Sequence, residues 1–337
     1  MKSALANLQR LESFLAEEWR ITGLALLRIC LGTVALINSV SHIREFNFLW
    51  GNAGMVPFDA FLRMMHERRS FSLYALTPNE GWHLVVFYAG IAISTLFILG
   101  WRTRIVSPLF AVFTWSLFER NLFILDGGDN LLYLLSFLLI FTDCGRALSM
   151  DADRYARSSW KPGKIRSLLH NVALAGILTQ ITILYATSAL SKLTGHMWQD
   201  GTAIYYILRT DEFNLSPLAH FFWQSDVVVV FMTYSTMAFQ VLWPFLIWSR
   251  RFKLAMALGA LLLHGSIGYF MGLTWFSMVM VGAEFTIFSD REYSQLANSA
   301  ANLLGRARAQ LGRVGAFTKR IAPRPESSQA PVEANRA

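Results

Sequence analysis

The sequence predicts an all-α fold, a polytopic transmembrane bundle of about eight spans with an interfacial amphipathic helix at its N-terminus. Three observations carry this. Of the 337 residues, 54% are hydrophobic and only 15% are charged, against about 25% in ordinary soluble domains. The mean hydropathy is +0.39. The apolar residues fall into long runs near the roughly 20 residues needed to cross about 30 Å of hydrocarbon. A soluble fold of this size needs more charged surface.

The elements follow in order. Residues 5–19 place Leu5, Leu8, Leu11, Leu15 and Trp19 at helical spacing with charges between them, the pattern of a helix lying in the membrane interface. The apolar runs are 21–43, 84–101, 105–124, 129–143, 169–191, 227–248, 253–272 and 273–288. The third and fourth are shorter or carry charge. The domain plan is therefore 1–20 interfacial helix, 21–288 transmembrane domain and 289–337 basic tail. Within the tail, 305–324 carries six basic residues and no acidic one, a composition suited to anionic lipid. Residues 325–337 are expected to be disordered.

Loop charge sets the expected orientation. With the N-terminus in the cytoplasm, 22 of the 30 Lys and Arg fall on the inner side, which predicts a multi-pass inner-membrane protein with both termini cytoplasmic. The net charge of +8 then reports orientation and contact with membrane lipid, not nucleic acid. Two cysteines make no framework, and neither a disulfide nor a metal site is expected. The two long outer segments, 44–83 and 192–226, each hold a helical stretch, FDAFLRMMHERR and one around AIYYILRTDEF, and can fold back over the bundle.

Several polar residues stand at membrane depth, where they must find partners or a wet cavity. Arg28 can bind an anionic group, tie two helices together or snorkel. Asp126-Gly-Gly-Asp129-Asn130 opens the fourth span, and its acids can cap that helix or, with Glu119 and Arg120, form an outer polar site. Lys192 ends the fifth span, either snorkelling or acting as a base. His264 lies inside the seventh span and can hydrogen-bond a substrate, relay a proton or join helices. Gln240 and Pro244 can kink the sixth span and expose its carbonyls, and Glu284 is a further buried charge. A transporter would show repeated halves or paired broken helices, and neither is visible.

Taken in order, Arg28, WGNAGMVP, GGDN, DCGRALSMD, SALSKLTGHMWQDGTAIYYIL and His264 resemble the horizontally transferred transmembrane (HTTM) domain, the membrane part of vitamin K-dependent gamma-carboxylase. The similarity covers roughly 20–290, and its most specific piece is the Lys192, Trp198, Asp200, Gly201 block. In the carboxylase a lysine of the matching block deprotonates the hydroquinone form of vitamin K, and a histidine assists. The resemblance thus implies Lys192 and His264 as catalytic residues. Arg28, Asp129, Asn130 and Trp198 would bind substrate or cofactor, with a reduced quinone as candidate cofactor. Short bacterial members include the membrane factor that matures a sporulation-delaying peptide toxin, which adds a small secreted peptide as candidate partner and a non-catalytic maturation role as the alternative. The chain departs from the carboxylase in lacking a large luminal region after its helices and in having Gln240 where many relatives have an acid. Glutamate carboxylation is not implied.

Overall fold

The computed structural model describes residues 19–157, 163–211, 216–302 and 305. The expected interfacial helix, apart from Trp19 and Arg20, and the basic tail beyond residue 302, apart from residue 305, lie outside them. The described residues up to Asp290 form one helical unit, with no strand among them. Its main helices are α1 (Ile21–Ser41), α2 (Phe58–Arg68), α3 (Glu80–Leu99), α4 (Thr103–Arg120), α5 (Gly127–Leu139), α6 (Lys164–Thr194), α7 (Ala203–Arg209), α8 (Asp226–Leu246), α9 (Lys253–Phe270) and α10 (Thr274–Glu284). A second unit begins at Arg291 and is helical to residue 302.

Five helices, α1, α3, α6, α8 and α9, are long and apolar enough to cross a membrane. This makes the chain a helical transmembrane bundle. The other three expected spans correspond to α4, α5 and α10. Helix α4 carries Arg104, Glu119 and Arg120, and the apolar stretches of α5 and α10 are short, Gly127–Leu139 and Thr274–Ile287. Helix α6 is longer than its apolar run, because the polar turn from Lys164 to His170 is helical too. Pro244 lies inside α8, which continues to Leu246.

Local chemistry explains the helix boundaries. The Asn79 side chain accepts the Trp82 N–H (3.1 Å) and starts α3, which ends at Gly100 with φ 68°. The next turn places Arg102 at φ 43°, a left-handed conformation costly for a side chain. It is held there by Asp151, whose carboxylate accepts the N–H groups of Arg102 (3.1 Å) and Thr103 (2.7 Å) and the Thr103 hydroxyl (3.0 Å). Asp126 begins α5 with a reciprocal capping box shared with Asp129.

Hydrogen bonds sort the chain into two ends. At one end Asp290 accepts the N–H groups of Ile21 and Thr22, His170 meets the Trp19 carbonyl (2.9 Å) and the Asp143 N–H (3.0 Å), and Arg166 pairs with Asp143. Arg28 belongs here. Fully buried, it donates to the carbonyls of Cys144 (2.9 Å), Leu148 (2.5 Å) and Ile98 (3.4 Å). These contacts are those of a structural tie, joining α1 to the end of α3 and to the 144–151 loop. Burial pushes the adjoining Cys144 thiol up, and both cysteines are free.

The other end carries the segment between α1 and α3, which packs onto α3 and α4. Phe46 and Trp50 pack their rings at a tilt against Phe87 (4.8 and 5.6 Å between ring centres). Arg120 donates to the carbonyls of Val56 (2.9 Å) and Gly51 (2.5 Å) and lies over the Phe61 ring. Glu119 pairs with Arg68 at 3.3 Å. Glu119 and Arg120 therefore face this folded-back segment and not Asp126 or Asp129.

Arg28→Leu leaves the buried Cys144 carbonyl and the part-buried Leu148 carbonyl without this donor and should cost on the order of 3 kcal/mol. Arg28→Lys should rescue little, because one ammonium cannot match the guanidinium fork. Thermal unfolding in nanodiscs reads both. A wild-type midpoint for Arg28→Leu would show that the clasp is dispensable.

Candidate functional site

One face of α6 presents Tyr185, Ser188 and Lys192, three and seven residues apart, so they stand in a row over about 10 Å of helix. Helix α8 lies against this face and brings Gln240 and Trp243, also one turn apart. Two polar tiers result.

The outer tier is built on Lys192. Its ammonium donates to Ser188 Oγ (2.7 Å), and Ser188 donates to Gln240 Oε1 (3.1 Å). The ammonium also lies over the Trp198 ring, 4.9 Å from its centre. Trp198 is placed there by the short helical turn His196–Gln199 that follows α6, and Tyr234 of α8 fixes this turn by donating to the Gln199 carbonyl (2.7 Å). Lys192 is half-buried, and each of these partners is neutral.

The inner tier lies one turn deeper. Tyr185 Oη donates to Glu284 Oε1 of α10 (2.8 Å) and meets His264 Nε2 of α9 (2.9 Å). Tyr185 is 1% exposed, His264 3% and Glu284 5%. Trp243 stacks on Tyr185 at 4.1 Å and 14° between planes, and Phe239 and Phe276 add ring contacts. The Trp243 indole lies beside the Glu284 carboxylate, outside strict hydrogen-bond geometry.

The structure thus unites Lys192 with Trp198 and places His264 one tier deeper. Asp129 and Asn130 stand apart. Asp129 Oδ2 accepts the Asp126 N–H (3.0 Å), Asp126 accepts the N–H groups of Gly128 and Asp129, and Asn130 donates to the Asp126 carbonyl (3.4 Å). These are capping bonds. The two acids also line a cavity of about 260 Å³ with Asn38, His42, Trp50 and Trp275. Arg28 lies at the opposite end. Tyr185, Ser188 and Trp243 were not singled out from the sequence. The row of polar side chains at helical spacing before Lys192 was the available signal.

Fold and site together define a polytopic helical membrane protein whose longest helix carries a lysine near one end and a buried polar cluster behind it. Residues 17–293 match the HTTM domain, and the chain belongs to that family. It is 27% identical to the uncharacterized protein YitO of Bacillus subtilis over 227 residues, 64% of this chain and 70% of YitO. It is 29% identical to the sporulation-delaying protein SdpB of the same organism over 137 residues, 39% of this chain and 40% of SdpB. The chain thus spans less than half the length of SdpB. No solved structure matches the chain.

Because Trp198 covers the Lys192 amine, Trp198→Ala should speed acylation of Lys192 by a water-soluble amine reagent several-fold, as read by peptide mass spectrometry. An unchanged rate would mean that the indole does not shield it.

Proposed function

We propose that this protein is a membrane enzyme with its active site at the Lys192 end of the bundle, acting on a lipid-soluble molecule or an exported peptide. The observation that carries this is the setting of Lys192: an amine partly withdrawn from water and held by a serine hydroxyl and an indole face, with no carboxylate partner among the described residues. Such an amine can take a proton from a substrate and hold it without a competing ion pair. Trp198 and Gln240 would orient it, and His264 would assist from the inner tier. A reduced quinone fits as cofactor because it is lipid-soluble and carries an acidic hydroxyl. Asp129 would contribute through the separate cavity over α5, Asn130 would support it from the cap on the Asp126 carbonyl, and Arg28 would serve the fold. The Lys and Arg bias of the loops supports an inner-membrane location with both termini in the cytoplasm and Lys192 facing outward.

The similarity to SdpB favours a second reading, a non-catalytic factor that binds and matures a small secreted peptide.

The test replaces the chromosomal gene in its native host with Lys192→Ala or Lys192→Arg at matched membrane levels. Secreted peptides and membrane quinones are then compared by mass spectrometry. Both variants should reproduce the deletion profile, since a guanidinium stays protonated. Full wild-type behaviour by both would end the catalytic role. Crosslinking of a secreted peptide to the Lys192→Ala protein would then support the second reading.

A further inference from the structure

Ser188 and Lys192 stand four residues apart on α6, one turn, and the amine lies 2.7 Å from the hydroxyl oxygen. Ser188 differs from its neighbours in where its hydroxyl points. Thr182, Thr187 and Thr194 donate theirs to carbonyls of their own helix, the habit of hydroxyls in helices. Ser188 reaches across to Gln240 Oε1 of α8. A hydroxyl has one hydrogen, so Ser188 must accept from the Lys192 ammonium. Once the ammonium gives a proton to water, the amine has a lone pair and the Ser188 hydrogen can turn to it. Both side chains are half-buried, and Ser188 lies six residues from the end of α6, about 9 Å along the helix. Leu190, Leu193 and Met197 are exposed, so the pair stands beside an open apolar surface. Gln240 Nε2 donates to none of the described residues.

We propose that Ser188 and Lys192 form a nucleophile–base dyad for acyl transfer, with a lipid-soluble carboxylic ester as substrate. A serine activated by a lysine is one of the arrangements that replace the serine–histidine pair. Ser188 Oγ attacks the acyl carbon while its proton passes to Lys192 Nζ. The carbonyl electron pair moves onto the oxygen, and Gln240 Nε2 is the side-chain donor beside it. The oxyanion collapses, the bond to the leaving alcohol breaks, and Lys192 gives that alcohol the proton. Water then attacks the acyl-serine and passes a proton to Lys192. The Ser188 oxygen leaves and takes that proton back. One ester and one water become an acid and an alcohol, and nothing is oxidised or reduced. The exposed apolar side chains, with no charge among them, suit the hydrocarbon part of such an ester. This inference rests on the reading of Lys192 as a base, and it adds the group on which that base first acts, a hydroxyl of the chain itself.

The full chain in lipid nanodiscs, incubated with p-nitrophenyl hexanoate and quenched in acid, tests this by peptide mass spectrometry. The wild type should carry a hexanoyl group on Ser188, removed by hydroxylamine as an oxygen ester is. Ser188→Ala should lose it. Lys192→Met should slow acylation of Ser188 by about a hundredfold or more. Lys192→Arg, which keeps a cation over Trp198 and so guards against misfolding, should slow it as much. In the gene-replacement test Ser188→Ala should fail alongside Lys192→Ala. Failure of Lys192→Ala with wild-type behaviour of Ser188→Ala would keep Lys192 as a base and overturn the dyad, whereas wild-type behaviour of both would end both roles. Hexanoyl on Lys192 alone, or on neither residue, would overturn the dyad, as would wild-type acylation of Ser188 in both lysine variants.

Discussion

Water is absent from the hydrocarbon core, so every polar side chain that the helices carry there must be satisfied by the chain itself. The bundle meets this constraint in three ways. Arg28 spends its donors on backbone carbonyls that a helix end and a loop leave open. Lys192 is held by a hydroxyl and an indole. Tyr185 bonds to both His264 and Glu284, and one buried atom of each is left without a partner. The first solution locks the architecture, because both terminal nitrogens of the guanidinium point to fixed atoms. The other two place exchangeable hydrogens between side chains, and side chains can move.

Helix α6 organises both functional tiers. Its 31 residues are about 46 Å long, so it crosses the bundle with length to spare. At one end His170 and Arg166 tie it to the Asp143 turn. Near the other end it carries Lys192. Tyr185, Ser188 and Lys192 share one face, so Gln240 and Trp243 of a single neighbour, α8, suffice to serve both tiers. The outer tier meets the loops and the inner tier meets α9 and α10.

Much of this was legible in the chain because a membrane imposes length and polarity rules on sequence. Apolar runs marked the helices, and a capping box was written in Asp126-Gly-Gly-Asp129. The same one-dimensional reading could not separate the roles of Arg28, Asp129 and His264. Each is a polar residue at depth, and its meaning depends on what a distant segment places beside it. Arg28 meets carbonyls 70 to 120 residues away, and Tyr185 meets partners 79 and 99 residues on. Such pairings are set by helix packing, which periodicity does not encode. Trp243 escaped notice for another reason: a tryptophan in an apolar run looks like any core residue until its stacking partner is known.

The pairing of α5 with α10 has a mechanical consequence. Their N-termini press together, so that a side chain added at Gly128 would meet the Phe276 backbone at 2.6 Å. With 13 and 11 residues, these helices are only about 20 and 17 Å long. Neither is as long as the roughly 30 Å of a hydrocarbon core. Phe276 also packs on His264, so a side chain forced in at Gly128 would be felt in the inner tier as well as between the two helices.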